Sequence, residues 1–207
     1  MIYIVNAQNR GLFHADLAAM HRHRKVTFVD RLGWRVPVIA DEEIDAYDGD
    51  ATLYLIARTN DVAPVLGSAR LLPTSGPHLM SDLFASTCVD GPPRGRNVWE
   101  ASRFCAMPTL RRRERLDVLW QVFCGIMETA LLHDIEQVIF TANSALLPLA
   151  LECGWQSRRL GPTLADGADT MTAIGVDIEL TGLRTLRRRF RIDSPITRLI
   201  SPFQIAA

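Results

Sequence analysis

Lysine is almost missing from this 207-residue sequence: Lys25 is the only one, and arginine supplies every other basic side chain. The formal net charge is +0, so no global electrostatic field would draw the protein to nucleic acid or to a membrane surface. No apolar run reaches the roughly 20 residues of a membrane-spanning helix. Residues 1–5 also lack the basic flank of a signal peptide. We therefore expect a cytoplasmic protein that binds neither nucleic acid nor membrane.

The cysteines and histidines also lack the spacing of a bound metal. The four cysteines contain no C-x-x-C pair, and the five histidines show no metal-ligand spacing. We expect no disulfide framework, no metal and no cofactor, and we predict buried free thiols in a reducing compartment. His21 and His23, which flank one arginine, are expected to be solvated. The cysteines are Cys88, Cys105, Cys124 and Cys153.

The hydrophobic pattern predicts an α/β protein. The clearest helix is 113–133, in which apolar residues recur at three- and four-residue intervals. Several strands with one long helix predict a three-layer α-β-α sandwich with a mixed central sheet. No interior linker divides the chain, so residues 1–207 are expected to form a single domain. The predicted strands are 2–5, 53–58, 65–72, 98–106, 137–142, 155–160 and 171–178; the predicted helices are 9–29, 79–85, 113–133, 144–153 and 182–190; residues 30–50 are predicted to be an irregular polar flap.

Ionic residues interrupt two of the apolar predicted strands. Arg70 lies in one strand, and Glu100 and Arg103 lie in another. Charges inside apolar strands cost free energy unless they are paired or reach a wet cleft. Arg24 and the acids Glu43, Asp45 and Asp48 supply possible partners. The pattern therefore predicts one buried polar pocket that binds a small molecule.

Together these residues resemble the acyl-homoserine-lactone synthase (autoinducer synthase) family. The family pattern is an Arg, a Phe and a Trp, then E-x-D-x-(F/Y)-D, then R-L-L-P-T, a Phe, and W-E-x-S-R-(F/Y). The resemblance is firm from about Arg24 to Phe104, and the order of elements extends it to the rest. This chain supplies Arg24, Phe28, Trp34, Glu43, Asp45, Asp48, Arg70, Phe84, Glu100 and Arg103.

The resemblance implies a fold and an activity. The family fold is similar to that of the GNAT N-acetyltransferases. The family transfers an acyl group from acyl carrier protein or coenzyme A to the amine of S-adenosylmethionine. It then closes the lactone and releases 5′-methylthioadenosine, which yields a quorum-sensing signal. S-adenosylmethionine would therefore be a substrate and not a cofactor.

The same resemblance implies roles for residues. Glu100 is the candidate base, because the attacking amine must be neutral. Backbone N–H groups near Arg103 would stabilise the oxyanion if the strand bulges there. The catalytic set is Glu100, Arg103, Asp45, Asp48 and Arg70; the S-adenosylmethionine set is Arg24, Phe28, Trp34 and Glu43; the acyl-pocket set is Phe84, Phe104, Thr141 and Leu149.

Several alternatives stay open at this point. The ionic residues would also fit a purely structural buried network. A general acyl-CoA N-acyltransferase is a second function, although no glycine-rich phosphate loop precedes Arg113. A nucleic-acid-binding helix at 184–191 is a third. Family frequency favours acyl carrier protein as donor, whereas the helix at 144–153 carries no base, which favours coenzyme A. Arginines 111–115 and 158–159 would suit either anionic donor.

Overall fold

The structure follows the predicted alternation of strands and helices through most of the chain. It is a computed structural model that describes residues 1–201. The strands are β1 (Ile2–Val5), β2 (Val38–Ile39), β3 (Glu42–Glu43), β4 (Leu53–Ala57), β5 (Gly67–Pro73), β6 (Val98–Ala106), β7 (Gln137–Asn143), β8 (Ser157–Arg159), β9 (Leu164–Asp166), β10 (Asp169–Asp177) and β11 (Thr197–Arg198). The α-helices are α1 (His14–Arg24), α2 (Leu79–Asp82), α3 (Arg112–Leu132), α4 (Leu147–Glu152) and α5 (Leu180–Phe190).

Contacts within the chain group into two compact units. The first unit contains Met1–Leu71, Arg103–Gly125 and the segment from Ile196 onward, and the second contains Leu72–Ser102 and Ile126–Pro195. The divisions fall inside β5, β6 and α3, so each of these elements contributes residues to both units. The expectation of a single domain over 1–207 stays a prediction.

The first unit is built on strands in the order β11-β1-β4-β5. β1 runs parallel to β11 and antiparallel to β4, and β4 runs antiparallel to β5. Phe13 and Met20 at α1 pack into one core cluster with strand residues such as Tyr3 and Ile56. Each large apolar side chain buried in this way stabilises the fold by roughly 1.5–3 kcal/mol.

The second unit carries the parallel pair β6 and β7, with β10 antiparallel to β7 and to both β8 and β9. Met80, Cys88, Ile139 and Ala173 form its buried cluster. Both units therefore mix parallel and antiparallel pairs. The prediction of an α/β fold with a mixed sheet is confirmed.

An acid in the first turn of helix α3 offsets part of the unfavourable charge of the arginines at its start. Cations at a helix N-terminus oppose the helix dipole. The Glu114 carboxylate accepts the Arg111 backbone N–H at 2.8 Å, as the acid of a capping box does. One acid in the first turn thus satisfies a backbone donor and offsets part of the basic charge.

The structure departs from the predicted elements mainly in short pieces. Helix α1 is followed by a π-helix at Lys25–Arg31, and β2 and β3 form a two-stranded sheet inside the predicted flap. β9 and β11 have three and two residues, too few for a hydrophobic period to show. No helix within residues 1–201 has the length and apolarity that crossing a bilayer requires.

Candidate active site

Three arginines and three acids of the first unit form a closed ring of ion pairs. The Arg24 Nη1 and Nη2 atoms donate to the two oxygens of Asp48 at 2.9 and 2.8 Å, and its Nε donates to Glu43. Arg24 thus binds two carboxylates at once. The other two arginines do the same.

Arg70 and Arg103 complete the ring. Arg70 donates to Asp45 Oδ2 at 3.1 Å and to Asp48 Oδ1 at 2.9 Å. The Arg103 Nη2 donates to Glu43 Oε1 at 2.9 Å and to Asp45 Oδ2 at 2.7 Å. Each carboxylate is therefore shared by two guanidiniums, and the six formal charges cancel. We call these six residues the ionic ring.

Burial makes the pairing in the ionic ring obligatory. Arg24, Arg70 and Glu43 have no exposed surface. Burial would raise the pKa of Asp48, but the hydrogen bonds and charge of Arg24 outweigh it and hold that pKa well below its ordinary value. Burial would also raise the pKa of Glu43, but the hydrogen bond from Arg24 acts in the other direction, and that pKa too is lowered. Both of these carboxylates therefore stay ionised at neutral pH.

The spacing E-x-D-x-Y-D builds the acidic side of the ring locally. The Asp45 backbone N–H donates to Asp48 Oδ2 at 2.9 Å, and the Tyr47 backbone N–H donates to Asp45 Oδ1 at 2.9 Å. The Asp48 N–H donates to the Asp45 carbonyl at 3.1 Å. These side-chain-to-backbone bonds form the type of turn that aspartate favours. The turn holds both carboxylates toward the arginines.

An aromatic pair lies beside the ring. Phe28, in the π-helix, stacks on Trp34 with ring centroids 4.8 Å apart and planes 14° from parallel. The extra residue per turn of a π-helix and the left-handed Gly33 (φ +69°) bring the chain back so that Trp34 N–H donates to the Phe28 carbonyl at 2.8 Å. The Arg103 guanidinium lies 5.4 Å from the Phe28 centroid and 5.8 Å from that of Trp34. The aromatic pair therefore binds a protein cation.

Arg103 has an unusual backbone. Its φ of +55° is left-handed, in the middle of β6, where an L-residue is rarely found. A left-handed residue inside a strand is typical of a β-bulge, which re-aims a side chain. The Arg103 Nε and Nη2 atoms are used by the ring. Its Nη1 has no hydrogen-bond partner among residues 1–201 and is free to receive a ligand oxygen.

Glu100 lies in the second unit. It is 2% exposed, and its Oε1 accepts the Met80 backbone N–H at 2.8 Å. In the register of the parallel pair it lies opposite Ile139 of β7. A carboxylate in such an apolar place, fixed by a backbone donor, has the geometry of a positioned acid or base. Among residues 1–201, no group of three or more His, Cys, Asp or Glu is arranged to hold a metal.

Comparison with known proteins identifies the family of this chain. A model described as "Autoinducer synthase" matches residues 8–184. A curated "Acyl-homoserine-lactone synthase" from Ralstonia solanacearum is 34% identical over 170 residues, which cover 78% of this chain and 82% of that protein. The chain belongs to the autoinducer synthase family. It is therefore an enzyme, an acyltransferase of the acyl-homoserine-lactone synthase type.

Two further relatives cover almost the whole chain. An "Isovaleryl-homoserine lactone synthase" from Bradyrhizobium diazoefficiens is 34% identical over 94% of this chain and 87% of its own. A solved CoA-dependent acyl-homoserine lactone synthase, with SAM and isopentyl-CoA, is 29% identical with a TM-score of 0.88, covering 98% of this chain and 94% of that one. A putative N-acetyltransferase from Lactobacillus plantarum, 16% identical with a TM-score of 0.58 over 86% of this chain and 99% of its own, shares the fold.

Eight of the residues predicted from the synthase pattern meet in the first unit. They are the ionic ring, Arg24, Glu43, Asp45, Asp48, Arg70 and Arg103, and the aromatic pair, Phe28 and Trp34. Six of the seven charged residues predicted to converge thus form ion pairs with one another, whereas the seventh, Glu100, belongs to the second unit. The individual roles of these residues stay predictions.

The four predicted acyl-pocket residues are not brought to one place by contacts within a unit. Phe104 belongs to the first unit, where its ring meets Phe123 edge-on at 5.7 Å. Phe84, Thr141 and Leu149 are half-buried residues of the second unit. The Thr141 hydroxyl is buried and has no hydrogen-bond partner among residues 1–201. The acyl pocket remains a prediction.

His21 corrects one prediction, because it is buried and not solvated. It precedes Arg24 by three residues and so shares its helix face. It is 7% exposed, and its Nδ1 lies 2.9 Å from the Glu43 carbonyl. Its ring meets Tyr54 edge-on at 6.0 Å. Burial, and then the charge of Arg24, lower the pKa of His21.

Tyr54 is a site residue that sequence reasoning missed. Its hydroxyl donates to Asp48 Oδ1 at 2.9 Å, so it supports the ionic ring from β4. All five residues of β4 are buried, and the strand shows no alternation that would mark Tyr54. Tyr54 is identified by the register of the sheet, in which it lies directly opposite Arg70.

Proposed function

We propose that the protein makes an N-acyl-homoserine lactone from S-adenosylmethionine and an acyl-CoA, with Glu100 as base. Solved relatives in this family are described with SAM and isopentyl-CoA, and with MTA. Two observations, each made within one unit, carry the residue assignment. The ionic ring leaves the Arg103 Nη1 without a partner among residues 1–201, and the Met80 N–H orients the buried Glu100 carboxylate.

The first bond joins the substrate amine to the acyl group. The neutral amine nitrogen attacks the thioester carbonyl, the C–N bond forms, and the C–S bond breaks. Glu100 accepts the proton that the nitrogen loses and passes it to the leaving thiolate, so the base is regenerated. The left-handed residue at Arg103 turns the β6 backbone, and its N–H groups are candidates for the oxyanion donors.

The second bond closes the lactone. A carboxylate oxygen of the acylated substrate attacks the carbon next to the sulfonium, the C–O bond forms, and the C–S bond breaks. 5′-Methylthioadenosine leaves as a neutral thioether. This step is intramolecular, so a folded substrate conformation supplies much of the rate. Arg103 Nη1, with no other partner among residues 1–201, is the donor we assign to the substrate carboxylate.

The ionic ring has a positioning role in this scheme. Every N–H-bearing nitrogen of the Arg24 guanidinium is already used within the ring, so Arg24 is less suited than Arg103 to bind a substrate carboxylate. The ring ties α1, the segment after β3, β5 and β6 to one another. It fixes the Arg103 guanidinium against Glu43 and Asp45, and the orientation of Nη1 is thereby fixed as well.

The aromatic pair suits an S-adenosyl group. Trp34 is half-buried, whereas Phe28 is almost fully buried. The Arg103 guanidinium lies at similar distances from both centroids and therefore beside the stack, so the outer face of Trp34 stays available to the sulfonium.

Coenzyme A is the donor that the structure favours over acyl carrier protein. Helix α4 carries no basic side chain; its one ionisable residue, Glu152, is exposed. An acidic carrier protein would find no complementary charge on this helix. Solved CoA-dependent synthases reach TM-scores of 0.85 and 0.88 with this chain. The four cysteines are all buried free thiols, which suits the reducing cytoplasm where such donors occur.

One assay tests both the activity and the base. The purified protein is incubated with S-adenosylmethionine and matched panels of acyl-CoA and acyl-carrier-protein thioesters. Thiol release, methylthioadenosine and lactone mass are followed together. We expect equal yields of the three products with acyl-CoA. Thiol release without methylthioadenosine would indicate hydrolysis of the thioester or acyl transfer without lactone closure, and faster turnover on carrier protein would reject coenzyme A as donor.

The Glu100→Gln variant isolates the base. Glutamine keeps an oxygen that accepts the Met80 N–H but cannot accept a proton from the amine. We expect thiol release to fall by about 10²–10⁴-fold with an unchanged melting temperature. Glu136→Gln, the same exchange at an exposed site of the same unit, is the control and should keep wild-type rates. Near-normal turnover of Glu100→Gln would reject Glu100 as base.

A further inference from the structure

Residues 74–80, which lead from the end of β5 into α2, are hydrogen-bonded to β6 at both ends. The Thr74 backbone N–H and hydroxyl both donate to the Val98 carbonyl, at 3.2 and 2.7 Å. At the other end, the Met80 N–H donates to the Glu100 carboxylate at 2.8 Å. Thr74 and Met80 are both fully buried. Residues 74–80 therefore carry a hydrogen bond that holds Glu100.

His78 cross-links the middle of this segment. Its Nδ1 lies 3.0 Å from the Gly76 carbonyl oxygen. It also lies 3.3 Å from the Ser81 hydroxyl, whose own proton is directed to the His78 carbonyl or to Asp82. A carbonyl can only accept, so the contact with Gly76 is a hydrogen bond only if Nδ1 carries the proton. In the neutral ring, Nε2 then bears a bare lone pair. The ring joins residues 76 and 78 into one tight turn immediately before Met80.

The burial of His78 is costly, and the cost needs an explanation. The residue has no exposed surface, and its Nε2 is buried with no hydrogen-bond partner within residues 1–201. A buried acceptor without a donor lowers stability. A leucine of similar size would avoid that penalty but would also lose the bond to Gly76. The protein thus keeps an imidazole in the turn that leads to Met80, although its burial lowers stability.

We propose that His78 is a positioning residue for Glu100: its Nδ1–H···O=C bond to Gly76 sets the turn that aims the Met80 amide at the Glu100 carboxylate. His78 touches no reacting atom in this scheme and acts through Met80. A backbone N–H donated to one carboxylate oxygen stabilises the charged base and orients the second oxygen for proton transfer. The inference rests on the proposed role of Glu100 as base.

Two substitutions separate the Nδ1–H bond from the bulk of the ring. In His78→Asn, the side-chain amide places an N–H near the position of Nδ1 and can still donate to Gly76. In His78→Leu, the volume is similar and the donor is gone. We expect His78→Leu to misplace the Met80 amide and His78→Asn to retain most of the wild-type behaviour.

The readout is the Met80 amide itself. Protein labelled with ¹⁵N-methionine gives one backbone amide signal for each of the five methionines that follow Met1. The Met80 signal should titrate with the Glu100 carboxylate that accepts its hydrogen bond, and Glu100→Gln should abolish that titration. In His78→Leu we expect the midpoint to move to higher pH by about one unit. The acid limb of kcat/KM should move by the same interval, and His78→Asn should restore both.

A core variant excludes a merely structural effect. Leu186 is fully buried in α5 of the same unit and lies outside the proposed machinery. Leu186→Ala should lower the melting temperature at least as much as His78→Leu while leaving both midpoints at the wild-type pH. Unchanged midpoints in His78→Leu, or equal shifts in Leu186→Ala, would overturn the positioning role. An active Glu100→Gln would overturn the proposed base as well, whereas an inactive one with unchanged His78→Leu midpoints would overturn the positioning role alone.

Discussion

The Tyr54 hydroxyl donates to Asp48 Oδ1 at 2.9 Å, and the same oxygen accepts N–H groups from two arginines. The other oxygen of this carboxylate, Oδ2, accepts a second N–H from Arg24 and the Asp45 backbone N–H. Asp48 thus has donors at both oxygens from α1, β4, β5 and its own turn. Among the acids of the ionic ring it connects the largest number of elements, and its loss should affect both stability and activity.

Asp48→Asn should destabilise the protein by about 3–5 kcal/mol, because it leaves Arg24 and Arg70 buried with one negative charge too few. Denaturant unfolding at pH 7 measures the change. The matched control is Asp50→Asn, since Asp50 is exposed and pairs with Arg10 only at the surface. We expect no measurable change there. Equal stability of Asp48→Asn and wild type would mean that the ring contributes no net stability.

Arg103→Lys should lower kcat/KM for S-adenosylmethionine by at least about 100-fold, or roughly 2.7 kcal/mol of transition-state stabilisation. Lysine keeps the charge, but it cannot reach Glu43 and Asp45 and still present Nη1 to a ligand. The control is Arg198→Lys, the same exchange in an exposed ion pair with Asp61, which should not change kcat/KM. A wild-type kcat/KM for Arg103→Lys would show that charge alone is sufficient.

His21 should make the protein less stable in mild acid. Its folded pKa lies below the ordinary 6.5, because burial and Arg24 oppose the charged ring. Below pH 6.5 the unfolded chain binds a proton at His21 that the folded protein does not, so stability falls as the pH drops and is fully present above that value. Between pH 7.5 and 5.5 we expect His21 to account for a loss of at most about 1.4 kcal/mol, the limit for a ring that stays neutral in the folded protein.

The His21→Asn variant isolates this loss. Asparagine can still donate to the Glu43 carbonyl but does not titrate. Urea unfolding of wild type and variant at the two pH values should show a smaller difference for the variant. His23, whose pKa is also lowered by burial, is common to both proteins and cancels. Identical pH dependence in the two proteins would assign the loss to another group.

Gly67→Ala should be strongly destabilising, although alanine is a conservative change. A Cβ at Gly67 would overlap the Val118 side chain and approach the Cys105 carbonyl oxygen to 2.9 Å. Backbone atoms cannot give way cheaply, so we expect a loss of about 1–3 kcal/mol in thermal unfolding. Gly11→Ala meets nothing within 4 Å and is the control. A melting temperature unchanged in Gly67→Ala would show that β5 and α3 adjust freely at this point.

The longer elements could be predicted from the sequence because their signal is local. The stripe of α3 and the apolar runs of β1, β4 and β7 each repeat over several residues, and their predicted bounds agree with the structure to within two residues. The π-helix at Lys25–Arg31 and the strands β9 and β11 were missed. No hydrophobic period marks an extra residue in a helical turn or a two-residue strand.

The candidate site likewise has features that the sequence predicts and features that only the structure shows. Residue types and spacing by themselves indicated the family. The need of buried charges for partners grouped the six residues of the ionic ring, together with Glu100, into one predicted pocket. Only the tertiary structure decided that Arg103 and not Arg24 keeps an open N–H, that His21 is buried, and that Met80 holds Glu100. Those outcomes depend on distances between side chains and backbone groups from different elements, and such distances leave no trace in the order of the residues.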